Sequence, residues 1–105
     1  MSVVEKIEQT LNLSPVVLFM KGVPDFPQCG FSSRVVQVLQ LCGAEYTAVN
    51  ILEDNELREG LKSYSNWPTF PQLYVNGELI GGCDIVLDLY NKGELQSLLG
   101  IAAEH

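Results

Sequence analysis

The chain has three cysteines, Cys29, Cys42 and Cys83, and no two of them are near neighbours. An odd count at such wide spacing gives neither a paired disulfide framework nor a local zinc cluster, and it suits a reducing compartment. Cations are scarce too. Six Lys and Arg stand against thirteen Asp and Glu, for a formal net charge of −7 and a pI near 4.4. That balance argues against a phosphate backbone or an anionic lipid surface as partner, so neither nucleic acid nor membrane is expected. The longest wholly apolar run, Val16 to Met20, falls far short of the roughly 20 residues needed to cross a bilayer, and a soluble protein is expected. The segment Met1 to Leu13 mixes Glu5, Lys6 and Glu8 into its apolar residues and lacks the basic start and apolar middle of a secretory signal. A cytoplasmic location is the default, or an organelle if a transit segment has been removed. Repeats, low-complexity tracts and linkers are also missing, and 105 residues make one domain of ordinary size.

What is there falls into a short series of elements. Ser2 and Glu5 have capping-box spacing, and Val4, Ile7 and Leu11 recur at helical intervals, with Pro15 as a stop. Val16 to Met20 is a continuous β-rich run, the pattern of a strand buried on both faces. Lys21 to Gln28 holds Gly22, Pro24 and Pro27, which predicts a loop without regular structure. A second helix follows from Gly30, with Val35, Val36, Leu39 and Cys42 on its apolar face and Gly43 as its end. Tyr46 to Ile51 reads as a strand parallel to the first, and Asp54 caps a helix carrying Leu57, Leu61 and Tyr64. Asn76 and Gly77 join Gln72–Val75 and Glu78–Ile80 as a hairpin. Asp84 is read as the cap of a helix with Ile85, Leu89 and Tyr90, ending at Gly93, and Glu94 to Leu99 adds a further turn or two. This order predicts an α/β, thioredoxin-like fold: a four-stranded mixed sheet flanked by helices on both faces.

The chemistry centres on Cys29, at the start of the second helix, followed by Gly30, Phe31 and Ser32. The helix dipole and free N–H groups there favour thiolate over thiol, and Lys21 adds a cationic field. Ser32 stands where a C-x-x-C pair would carry its second sulfur. A hydroxyl cannot close a disulfide, so whatever Cys29 begins must be completed by a thiol from elsewhere. That thiol could come from a small molecule, a second chain or a more distant cysteine. Cys42 reads as a packing residue, whereas Cys83 acts through its backbone or forms a disulfide with Cys29 under oxidation. Phe31 and Trp67 are read as core, rim or cover of the site, and His105 is expected to be disordered and without a role.

Three motifs occur in order: Met20, Lys21, Gly22, Pro24, Pro27 and the C-G-F-S run; then Trp67, Pro68, Thr69, Phe70 and Pro71; then Gly81, Gly82, Cys83 and Asp84. Together they resemble a monothiol glutaredoxin of the C-G-F-S type, a match spanning nearly the whole chain as a single glutaredoxin domain, 1–105. The resemblance implies a cis peptide bond between Phe70 and Pro71. It also implies bound glutathione, with Lys21 and Arg58 at the glycine carboxylate. The cysteinyl backbone falls to Phe70, in the Thr69, Phe70, Pro71 segment, and the γ-glutamyl end to Cys83 and Asp84, with Gly81 and Gly82 allowing close approach of the tripeptide backbone. Two functions remain open on these residues. One is a carrier of a [2Fe–2S] cluster, held by Cys29 and glutathione in a homodimer and serving cluster storage, transfer to apo iron–sulfur acceptor proteins, or iron sensing. A BolA-like protein is the heterologous partner this implies. The other is a glutathione-dependent oxidoreductase acting by a one-cysteine route. The C-G-F-S run with its extended loop resembles the carrier branch, whose members are poor oxidoreductases.

Overall fold

In the computed structural model, which describes residues 2–100, the strand β1 (Val16–Met20) is buried along its whole length and divides the molecule into two apolar layers. Successive side chains of a strand point to opposite faces. Val16, Leu18 and Met20 accordingly enter one layer, Val17 and Phe19 the other. β1 pairs in parallel with β4 (Thr47–Asn50) and antiparallel with β5 (Gln72–Val75), and β5 pairs antiparallel with β6 (Glu78–Gly81). The sheet order is β4-β1-β5-β6, the four-stranded mixed sheet that the element order predicts.

The first layer is closed by α2 (Gly30–Leu41), α4 (Cys83–Asn91) and α5 (Leu95–Leu98), through Val35, Leu39, Val86 and Leu95. The second is closed by α1 (Val3–Leu11) and α3 (Asn55–Ser65), through Ile7, Leu11, Leu57 and Leu61. Both α1 and α3 begin on side-chain caps. Ser2 and Glu5 form the full capping box, and the Asp54 carboxylate accepts the Leu57 N–H at 3.0 Å while pairing with Lys6 of α1.

The structure departs from the sequence reading in four places. The segment Lys21 to Gln28 is not wholly irregular, because β2 (Gly22–Val23) and β3 (Phe26–Pro27) form a two-residue antiparallel ribbon. Pro27 is tolerated there since the ribbon is an isolated pair that asks little of its missing N–H. The strand read as Tyr46 to Ile51 is shorter. Ile51–Glu53 turns into a 3-10 helix, started by Asn50, whose side-chain oxygen accepts the Leu52 N–H at 3.0 Å. Asp84 does not cap α4. Gly82 takes that position, and Asp84 lies in the first turn as an exposed carboxylate. Tyr64 is 40% exposed, outside the buried layer its spacing suggests. His105 lies outside the described residues. No helix among the described residues is long and apolar enough to cross a membrane.

Candidate functional site

Cys29 is the N-cap residue of α2, extended in backbone conformation and half-buried. Three things bring it there. β1 ends at Met20, the β2–β3 ribbon turns the chain back, and the Gln28 N–H donates to the Lys21 carbonyl at 2.9 Å. Asn50 ties the ribbon to the sheet, its side-chain oxygen accepting the Gly22 N–H at 2.9 Å. The Lys21 N–H donates to the hydroxyl oxygen of Ser32, which is fully buried, at 3.1 Å. Ser32 is therefore a fastening between the end of β1 and the first turn of α2, as well as a missing sulfur.

The protonation of Cys29 follows from this placement. Partial burial opposes the charged form. The backbone N–H groups of Ser32 and Phe31, the Ser32 hydroxyl and the charge of Lys21 together outweigh it, and the thiol pKa falls below its ordinary value. The other two cysteines go the other way. Burial raises Cys42, and at Cys83 burial and the Asp84 charge outweigh the opposing charge of Arg34. All three are free thiols. At neutral pH an alkylating reagent should thus label Cys29 first, which peptide mass spectrometry reads directly. Ser32→Ala should move the midpoint of Cys29 alkylation to higher pH, because it removes a donor to the thiolate. It should also cost about 1 kcal/mol of stability, read by urea unfolding, because the Lys21 N–H loses its acceptor. The sign of the pH effect is fixed: a pKa depressed in the folded state adds stability above the unfolded value. That stability is lost as pH falls through the folded one.

Cys29 opens onto a cleft of about 600 Å³, lined by Lys21, Phe31, Trp67, Thr69, Phe70, Pro71, Gly82, Cys83, Asp84 and Ile85. That volume suits a tripeptide-sized ligand. One wall is the segment before β5, where the Phe70–Pro71 bond is cis. The opposite wall is the N-terminus of α4, with its N–H groups and the Asp84 carboxylate. Gly82 lies where the two walls meet. A Cβ there would lie 3.2 Å from the Pro71 carbonyl oxygen and 3.3 Å from Trp67 Nε1, so the two walls approach each other through a residue without a side chain.

Of the residues singled out in the sequence, Lys21, Cys29, Thr69, Phe70, Pro71, Gly82, Cys83 and Asp84 come together in this cleft. Arg58 stands apart. It lies half-buried on α3 outside the cleft lining, and its Nε is buried with no partner among the described residues. Phe31 and Trp67, weighed as rim or core, both line the cleft, and Phe31 is 58% exposed. Ile85 was missed. Its signal was only its place after Asp84 on the exposed side of α4. Among the described residues no group of three or more His, Cys, Asp or Glu is placed to hold a metal ion.

The family profile described as Glutaredoxin matches residues 16–80, more than half of the chain. The chain belongs to the glutaredoxin family. This glutaredoxin is 51% identical to Glutaredoxin 4 of Escherichia coli strain K12 over 96 residues, 91% of this chain and 84% of that one. It is 57% identical over 98 residues, 93% of the chain, to Monothiol glutaredoxin-S11 of Oryza sativa subsp. japonica, of whose length it spans only 20%. The solution structure of reduced poplar apo GrxS14 is similar at a TM-score of 0.81 and 53% identity, covering 93% of this chain and 90% of that one. With such relatives and Ser32 at the fourth position of the C-G-F-S run, this glutaredoxin is of the monothiol kind.

Proposed function

We propose that this glutaredoxin carries a [2Fe–2S] cluster between two copies of the chain, each supplying the Cys29 thiolate and one bound glutathione. The observation behind this reading is a half-exposed, thiolate-favoured Cys29 at the mouth of a tripeptide-sized cleft, where the described residues make no cluster of three or more metal-ligating side chains. A [2Fe–2S] cluster takes four thiolates. One chain offers one, since Cys83 is buried and its thiol is pushed up. Two chains and two glutathiones complete the set, and the cluster is then cargo held partly by exchangeable ligands. Such a cluster is suited to storage, to transfer into apo iron–sulfur proteins, or to reporting iron supply. A BolA-like protein is the partner that would replace the second copy. Three free thiols suit a reducing compartment, and we place the protein in the cytoplasm.

Glutathione binding in the cleft rests on complementary chemistry. Lys21 offers a cation to the glycine carboxylate, whereas Arg58 lies outside the cleft lining. Thr69, Phe70 and Pro71 present backbone to the cysteinyl residue. The first N–H groups of α4, at Cys83 and Asp84, receive the γ-glutamyl carboxylate, and the Asp84 carboxylate faces its ammonium.

The low pKa of Cys29 also favours a second reading, removal of glutathione from protein thiols. There the Cys29 thiolate attacks the glutathione sulfur of a mixed disulfide and the protein thiolate leaves. A second glutathione thiolate then attacks the Cys29 mixed disulfide, releasing oxidised glutathione and restoring Cys29. Anaerobic reconstitution with iron, sulfide and glutathione separates the two. The carrier reading expects a coloured dimer from wild type and none from Cys29→Ser, read by absorbance and size exclusion. Brisk turnover of a glutathionylated substrate without any coloured species would favour the enzyme.

A further inference from the structure

Gln72 is a polar side chain with no exposed surface, set in the apolar layer that holds Phe19 and Tyr74. Burying an amide without partners costs several kcal/mol at the upper end of measured ranges, so its bonds decide why it is tolerated. They are complete. Both hydrogens of Nε2 are used, one toward the Trp67 carbonyl at 3.0 Å and one toward the Thr69 carbonyl at 3.2 Å. Its Oε1 accepts the Tyr74 hydroxyl at 3.1 Å. Gln72 and Tyr74 are two residues apart on β5 and so share a face of the sheet, which lets the hydroxyl fix the amide's orientation.

The two carbonyls it holds belong to the segment that forms one wall of the cleft. Trp67 to Phe70 lies in neither helix nor strand, so this segment has no ladder to hold it. From the other side the Ser65 hydroxyl oxygen accepts the Trp67 N–H at 3.1 Å. Gln72 itself does not line the cleft; it lies behind the residues that do.

We propose that Gln72, oriented by Tyr74, is a positioning residue that sets the shape of the Trp67–Pro71 wall and thereby the affinity of the cleft for glutathione. The inference rests on the glutathione reading above, and Trp67 allows the two to be tested apart. As the chain's single tryptophan, it makes intrinsic fluorescence a direct report on this wall.

The test compares wild type with Gln72→Met, which keeps length and removes every hydrogen bond, and Gln72→Glu, which as a buried neutral acid keeps one donor. Leu11→Ala serves as a control, destabilising the same layer at a distance. Calorimetric titration with glutathione should show an affinity loss of about tenfold for Gln72→Met and a smaller one for Gln72→Glu. Acrylamide quenching of Trp67 should rise in the same order. Leu11→Ala should lower the melting temperature with neither change. The pH profile of Cys29 alkylation should stay as in wild type in all of them, because its determinants lie on α2 and at Lys21. If Gln72→Met does not fold, Tyr74→Phe, which removes a single hydroxyl, should still give a measurable rise in quenching. Wild-type affinity and quenching in a folded Gln72→Met would overturn the proposal. If wild type itself binds no glutathione, the ligand assignment falls, and the quenching series alone decides the positioning claim.

Discussion

Gly22→Ala should destabilise the protein by about 2–4 kcal/mol and loosen the delivery of Cys29. Two independent costs add. Gly22 has φ +94°, a conformation that residues with a Cβ rarely adopt. A Cβ there would also lie 2.6 Å from both the Gln28 backbone nitrogen and the Phe26 carbonyl oxygen. Those are main-chain atoms of the ribbon, so no side-chain rotation relieves the clash. The ribbon must open instead. Opening it separates Lys21 from Gln28 and weakens the fastening around Ser32, so the alkylation midpoint of Cys29 should rise as stability falls. Urea unfolding should show a lower midpoint at an unchanged slope. A variant within about 0.5 kcal/mol of wild type would mean that the ribbon is not a fixed part of the site.

Gly82→Val should have the largest effect on the cleft. Gly82 has φ −97°, open to any residue, so the argument is space alone. Its Cβ position already lies 3.2 Å from the Pro71 carbonyl oxygen and 3.3 Å from Trp67 Nε1. The two γ-carbons of valine must enter the room between the walls or push them apart. Overpacking of this kind costs about 1–3 kcal/mol, and Val is also a poor residue for a helix cap. Glutathione affinity should fall by more than about tenfold, with a smaller loss for Gly82→Ala. Calorimetric titration checks this, and undiminished binding to a folded Gly82→Val would remove Gly82 from the ligand's path. Cys29 should keep its alkylation profile, since none of the groups that lower its pKa is on α4.

The sheet was legible because hydrophobic patterning and turn chemistry agree along the chain. Val16 to Met20 has no polar residue and is buried on both faces, and Asn76 and Gly77 both adopt positive φ in the hairpin turn. The cleft was legible through motifs, and its thiol through its place at a helix start. What escaped was the work of polar residues inside. Ser32 looked like an absent sulfur because sequence shows the sulfur it lacks, whereas its bond to the Lys21 N–H spans eleven residues. Gln72 looked like an ordinary strand residue, since nothing in a linear pattern says that a glutamine reaches back to two carbonyls. Asp84 misled for a related reason. Its residue type favours caps, but Gly82 occupies that position, and Asp84 is left in the first turn as an exposed carboxylate at the cleft.

The native mass of the anaerobically reconstituted protein tests the central claim most directly, because it counts ligands and chains together. The account predicts one species holding two chains, two glutathiones, two irons and two sulfides, which disappears when another thiol replaces glutathione. A single chain retaining iron and sulfide without glutathione would contradict it.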